Sequence, residues 1–214
     1  MALDVEMLTV GQIGENCFLF RQQGGDRLLI VDPGEEAERI LAAVEATGAS
    51  VEAILLTHCH FDHIGAVAPV AKATGALVYC PEIEVPLLAD IMAYVPWAGF
   101  GPYESYEADE VVRGGETLEL AGMEIEVVLT PGHSPGHVTY AVKGEPAIFS
   151  GDVLFQGSVG RTDLPGGDWA TLLGSIRTLV DSHPPETTVY PGHMGITTLG
   201  AERASNPFLA ELAR

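Results

Sequence analysis

The chain has 214 residues, 47% of them apolar, which suits one domain, or one with a small appendage, around a sizeable buried core. Its formal net charge is −20, with only two lysines, Lys72 and Lys143, and such a surface repels phosphate backbones and anionic membranes; neither nucleic acid nor a membrane is expected as a partner. No apolar stretch approaches the ~18 residues of a membrane span, and the N-terminus carries Asp4 and Glu6 without the basic start of a secretory signal, so a cytoplasmic protein is expected.

Apolar and β-branched runs bounded by Gly, Pro or Asp predict strands near 4–10, 16–21 and 27–32. A helix follows over 35–47, with Glu35 and Glu36 at its positive end and Gly48 closing it. A strand near 53–57, a helix over 64–74 ending before Gly75, and a strand near 76–80 come next. Residues 90–106 hold five aromatics, Tyr94, Trp97, Phe100, Tyr103 and Tyr106, with Gly and Pro interrupting any helical period. This segment reads as a lid with an apolar wall for substrate, or as an aromatic-anchored surface loop or dimer contact; the oligomeric state stays open, a homodimer included. MEIEVVLT at 123–130 alternates as a half-buried strand does, and further strands fall near 137–142, 146–150 and 187–190. Asp168 caps a helix over 169–181, and a short helix follows Asn206-Pro207. Helices covering sheets in layers imply a layered α/β or α+β sandwich.

Five of these strands stop at a polar, potentially metal-binding residue: Asp32, His58, His133, Asp152 and His193. Side chains delivered from several strand ends to one sheet edge make a site on a rigid scaffold. THCHFDHIG adds His60, Asp62 and His63. In extended chain His58, His60 and Asp62 share a side, and His63 joins them if the chain turns into a helix. Neutral imidazole and carboxylate are ligands for zinc, iron and manganese, and burying four such groups without a cation would leave several desolvated polar atoms. His137 and His183, outside this cluster, are expected to be capped surface residues. Cys59 alternates with His58 and His60 and is expected to pack into the core; with Cys17 and Cys80 it makes an odd set without CxxC spacing, so neither a disulfide framework nor a zinc ribbon is expected.

HxHxDH followed by a distant His, an Asp and a final His resembles the motif set of the metallo-β-lactamase superfamily. LIVDPG, THCHFDHIG, TPGHSPGH, FSGDVLF and YPGH match its five motifs in order across nearly the whole chain. The resemblance implies an α+β fold, an αβ/βα four-layer sandwich, with metals at one edge. It implies that His58, His60 and His133 hold one metal, that Asp62, His63 and His193 hold a second, that Asp152 bridges both, and that Asp32 supports the site from behind. The cofactors would be two divalent transition-metal ions, zinc foremost, with iron or manganese also accepted. A shared water, acidified by both cations, would act as hydroxide on a carbonyl, with Asp62 and Asp152 as the catalytic carboxylates.

Within the superfamily the chain most resembles glyoxalase II-like thioesterases of the compact bacterial type, which cleave S-lactoylglutathione; a small-molecule thioester is the expected substrate. Only 21 residues follow His193, so a single domain over 1–214 is expected, without the helical C-terminal glutathione-binding region. The loop GSVGRTDLPGGD partly resembles the GRTD stretch of persulfide dioxygenases, which use one iron, and this is the alternative reading. A metal-dependent nuclease, or another ester or lactone hydrolase of this fold, stands further off. Arg161 in that loop could grip a substrate carboxylate or pair with Asp163; Tyr94, Trp97 and Phe100 are the other candidate substrate contacts.

Overall fold

The computed structural model describes residues 2–210. The first half runs β1 (Leu3–Val10), β2 (Glu15–Gln22), β3 (Arg27–Val31), α1 (Ala37–Thr47), β4 (Ser50–Leu55), α2 (Phe61–Ile64), α3 (Val67–Thr74), β5 (Leu77–Pro81), α4 (Val85–Ala89), α5 (Ile91–Tyr94) and β6 (Glu110–Val112). The second half runs β7 (Thr117–Leu120), β8 (Met123–Leu129), β9 (Val138–Val142), β10 (Ala147–Gly151), β11 (Leu154–Phe155), β12 (Ser158–Val159), α6 (Trp169–Ser182), β13 (Thr188–Pro191), β14 (Thr197–Thr198) and α7 (Leu199–Ser205). One six-stranded sheet has the order β1-β2-β3-β4-β5-β6, the other β14-β13-β10-β9-β8-β7, and β11 and β12 form a separate hairpin.

Alternation along the strands explains why the sheets face each other. In β2, Phe18 and Phe20 point to the space between the sheets, while Cys17 and Leu19 point to the helices outside. In β3, Leu29 and Val31 go inward and Leu28 and Ile30 outward. Ile125, Val127, Tyr140 and Phe149 answer from the second sheet, and Phe20 and Phe149 bring ring centroids to 4.3 Å. Burying each such aromatic is worth ~1.5–3 kcal/mol. Ile40 of α1 and Val67 and Val70 of α3 cover the first sheet, and Leu172, Ile176 and Leu179 of α6 cover the second. The result is the helix–sheet–sheet–helix order expected of the metallo-β-lactamase fold. No helix among the described residues is long and apolar enough to cross a membrane.

Local differences from the expected elements have local causes. The first helix starts at Ala37, because Glu36 takes a left-handed backbone with φ of 57°. It ends at Gly48, as expected, with φ of 66° and its N–H returned to the Glu45 carbonyl. The helix expected over 64–74 is two pieces: the Ala66 N–H bonds to the Pro33 carbonyl at 3.0 Å, outside the helical ladder. Asp168 caps α6 by accepting from the Thr171 N–H. The segment 90–106 holds the helical turn of α5, and beyond it Trp97, Phe100 and Tyr103 gather around Phe61.

Candidate metal centre

The five strand ends do converge. Ring nitrogens of His58, His60 and His133 lie within 4.8 Å of one another, and so do the ligating atoms of Asp62, His63 and His193. Between the two groups sits Asp152. Its Oδ2 is 3.4 Å from His133 Nε2 and 3.6 Å from His193 Nε2, and its Oδ1 is 3.4 Å from His63 Nε2. His60 Nδ1 is 3.1 Å from His58 Nε2 and 2.8 Å from His133 Nε2. The alternation read from THCH is therefore realised: His58 and His60 meet on one side, while Cys59 packs in the core 3.5 Å from the Cys80 sulfur.

The outer ring nitrogens fix the tautomers. His133 Nδ1–H donates to the Arg161 carbonyl at 2.8 Å, and His193 Nδ1–H to the Gly14 carbonyl at 3.2 Å, since a carbonyl can only accept. His63 Nδ1–H donates to Asp32 Oδ2 at 3.0 Å. Thr57 uses its own hydroxyl proton on Asp32 Oδ2 at 2.6 Å, so its oxygen accepts from His58 Nδ1–H at 3.0 Å. Four imidazoles thus turn Nε2 inward, the nitrogen that becomes a metal ligand once it carries no proton.

The electrostatics match this geometry. Burial, then the neighbouring imidazoles, holds His58 well below the usual imidazole value and His60 down at about 4. At His63 burial again lowers the value, but Asp152 and Asp62 outweigh it and raise the ring well above its ordinary value. His193 is raised against burial by Asp152 and by its bond to Asp62. Burial also opposes ionisation of Asp152, yet His193, His63 and His133 hold its carboxyl below the usual carboxylate range. His63 Nε2 and Asp152 Oδ1 are buried without a hydrogen-bond partner among the described residues. Such orphaned atoms cost ~1–3 kcal/mol each, a cost that a bound cation removes. A nitrogen-and-carboxylate donor set of this kind fits zinc, iron or manganese.

A family model described as the metallo-β-lactamase superfamily matches residues 10–193. The chain belongs to the metallo-β-lactamase superfamily. This makes it a metallo-hydrolase of a superfamily that binds divalent metals. Among similar proteins, hydroxyacylglutathione hydrolase GloC of Haemophilus influenzae is 34% identical over 209 residues, covering 97% of this chain and 98% of its own. The crystal structure of BLEG-1 B3 metallo-β-lactamase superposes with a TM-score of 0.91 at 38% identity, covering 97% of this chain and all of that one. TTHA1623, solved in a di-iron-bound form, is 41% identical with a TM-score of 0.76, over 95% of this chain and all of that one.

Several residues that hold this superfamily site together carried no motif in the sequence. Glu84 is buried, and its carboxylate accepts from the Cys59 N–H at 3.3 Å and from Ser134 Oγ and the Gly136 N–H at 2.8 Å each. It ties the loop of His58 and His60 to the loop of His133. The Asn16 side chain donates to the Pro191 and Met194 carbonyls at 3.1 and 2.9 Å, holding both sides of His193. Buried Glu15 lies 3.8 Å from His63 Nδ1, and burial raises its carboxyl well above the usual value.

Two expectations need correcting or completing. His137 is not a capped surface residue: it is fully buried, its Nε2 accepts the Asp152 N–H at 3.0 Å, and its Nδ1 lies 3.0 Å from Thr130 Oγ1. The space beneath the Asp152 turn is filled by this ring, which stacks on His58 with centroids 4.9 Å apart. His183 is half-buried, with Nδ1 3.0 Å from the Leu179 carbonyl at the end of α6. Arg161 pairs with Asp163 through two bonds, at 2.6 and 2.7 Å.

A cavity of about 520 Å³ opens over the centre. His60, Asp62, His133, Asp152 and His193 form its floor, and Tyr94, Trp97 and Arg161 stand on its wall. Phe100 packs behind, against Phe61, with ring centroids 4.9 Å apart.

Proposed function

We propose that the protein is a dinuclear metal-dependent thioesterase acting on small-molecule thioesters of the S-lactoylglutathione type. The observation that carries this reading is the set of inward Nε2 atoms, each fixed by an acceptor on the outer ring nitrogen, with those of His63, His133 and His193 gathered around Asp152. His58, His60 and His133 would hold one cation, Asp62, His63 and His193 the other, and Asp152 both; Asp32 supports His58 through Thr57 and His63 directly. The cations would supply hydroxide at neutral pH and polarise the thioester carbonyl.

The chain's own groups orient the rest. Asp62, on the cavity floor with Oδ2 3.3 Å from His193 Nε2, accepts a hydrogen bond from the attacking water and aims it at the carbonyl carbon. Water adds to that carbon, the C–S bond breaks, and the products are a carboxylic acid and a thiol. The name of the GloC relative and the di-iron form of TTHA1623 support this reading.

A single-iron persulfide dioxygenase is the second reading, favoured by the Gly160-Arg161-Thr162-Asp163 loop beside His133. One paired assay on metal-loaded protein separates the two: thiol release from S-lactoylglutathione against oxygen uptake with glutathione persulfide. A chromogenic β-lactam serves as a third arm, given the likeness to BLEG-1. Thiol release without oxygen uptake is expected. Oxygen uptake alone, or β-lactam cleavage with no thiol release, would replace the thioesterase reading.

A further inference from the structure

The cavity over the centre has a chemistry of its own. Its walls are built by Ile13, Phe61, Leu87, Trp97, Phe155 and Leu164. Among the residues lining it, Arg161 is the one permanently charged cation, and one edge of its guanidinium, Nε and Nη2, is taken by Asp163. Phe61 sits between His60 and Asp62 in the chain, and Trp97 meets it edge-on with centroids 5.9 Å apart. The apolar wall therefore begins directly at the centre's edge. Trp97 and Tyr94 remain 44% and 51% exposed at the mouth, large apolar surfaces that a ligand could cover.

A glutathione moiety carries two carboxylates and an ammonium. Placed here, it would set one carboxylate against Arg161 at most, whose charge Asp163 already offsets, and the other against apolar walls in a chain of net charge −20. Unpaired carboxylates are costly to desolvate, whereas apolar groups gain from the same walls. We infer that the preferred substrate is a thioester with an uncharged, apolar group beside the scissile bond, a medium-length acyl chain or an aryl group, rather than a glutathione conjugate. This rests on the thioesterase reading and departs from it in the thiol: S-lactoylglutathione becomes a slower substrate, not the preferred one.

The test holds leaving-group chemistry nearly constant by comparing two alkyl thiols, N-acetylcysteamine, which is uncharged, and glutathione. Butanoyl, hexanoyl and octanoyl thioesters of each are offered to the metal-loaded protein. The expected kcat/KM favours the uncharged thiol by at least about tenfold and rises by up to about fourfold per buried methylene. Trp97→Ala should flatten the chain-length dependence; Leu87→Ala on the same wall serves the purpose if Trp97→Ala fails to fold by circular dichroism. Calorimetric binding of the non-hydrolysable thioethers S-octyl-N-acetylcysteamine and S-octylglutathione gives a readout independent of turnover, with the uncharged ligand tighter. Preference for the glutathione forms in both assays, or no chain-length dependence, overturns the inference while leaving a thioesterase. Selective thioether binding with no turnover of any thioester upholds the apolar pocket and removes the thioesterase reading instead.

Discussion

Asp32 Oδ2 lies 3.0 Å from His63 Nδ1, and the same oxygen accepts the Thr57 hydroxyl at 2.6 Å, while Oδ1 takes the Thr57 N–H at 2.7 Å. One carboxylate therefore orients an imidazole from each of the two donor groups, His63 directly and His58 through Thr57. Its backbone is held at φ of 48°, a left-handed conformation that aspartate tolerates better than most residues. Asp32→Ala should weaken metal binding by roughly 10–100-fold without removing any proposed ligand. Competition with a chromophoric chelator measures this, and unchanged affinity would leave Asp32 as a turn residue alone.

Glu84 makes a similar prediction for stability. Glu84→Ala strands the Cys59 and Gly136 N–H groups, each ~1–3 kcal/mol when buried and unpaired. A loss of about 2–5 kcal/mol in denaturant unfolding is expected. Glu84→Gln, which keeps an acceptor for Ser134 and Gly136, should recover part of it.

The protonation pattern gives metal uptake a direction in pH. His63 and His193 have raised values, so protons compete with a cation there at higher pH than at an ordinary imidazole. Affinity at that group should fall as pH drops, beginning above the ordinary imidazole value of ~6.5. His58 and His60 are shifted downward, are already neutral at pH 7, and have no proton to give up there. Calorimetric metal titrations in buffers of different ionisation enthalpy should show one binding event releasing more protons than the other. Equal release from both would contradict the assignment of the two groups.

Close packing at the edge predicts one severe small substitution. A Cβ on Gly34 would overlap the Asp62 carbonyl oxygen and crowd Glu15 Oε2. Backbone cannot yield as a side-chain tip does, so Gly34→Ala should cost about 1–3 kcal/mol and displace the His60–His63 turn. Unfolding curves and metal content read the two effects separately.

The centre was legible in the sequence because its donors sit at strand ends, where a short polar motif interrupts an apolar run. The supporting groups were not, because their roles depend on distant contacts. Glu84 reads as an acidic residue among Glu82 and Glu84, and only the tertiary fold brings it to Cys59 and Ser134. His137 looks like a residue of a polar turn, and its burial follows from the Asp152 loop lying over it. Short elements also escaped: β6 is a three-residue edge and β11 and β12 are two residues each, too short for any period to register. The α7 helix had a readable signal in Thr198, whose hydroxyl accepts from the Ala201 N–H at its start.

The most direct measurement is metal content per chain, by elemental analysis, for the wild type and for Asp152→Asn after identical reconstitution. About two equivalents are expected for the wild type, and the variant should lose at least one together with most of the activity, since a neutral amide withdraws charge from both positions. A variant that keeps the full complement and the full rate would contradict the placement of Asp152 between two cations.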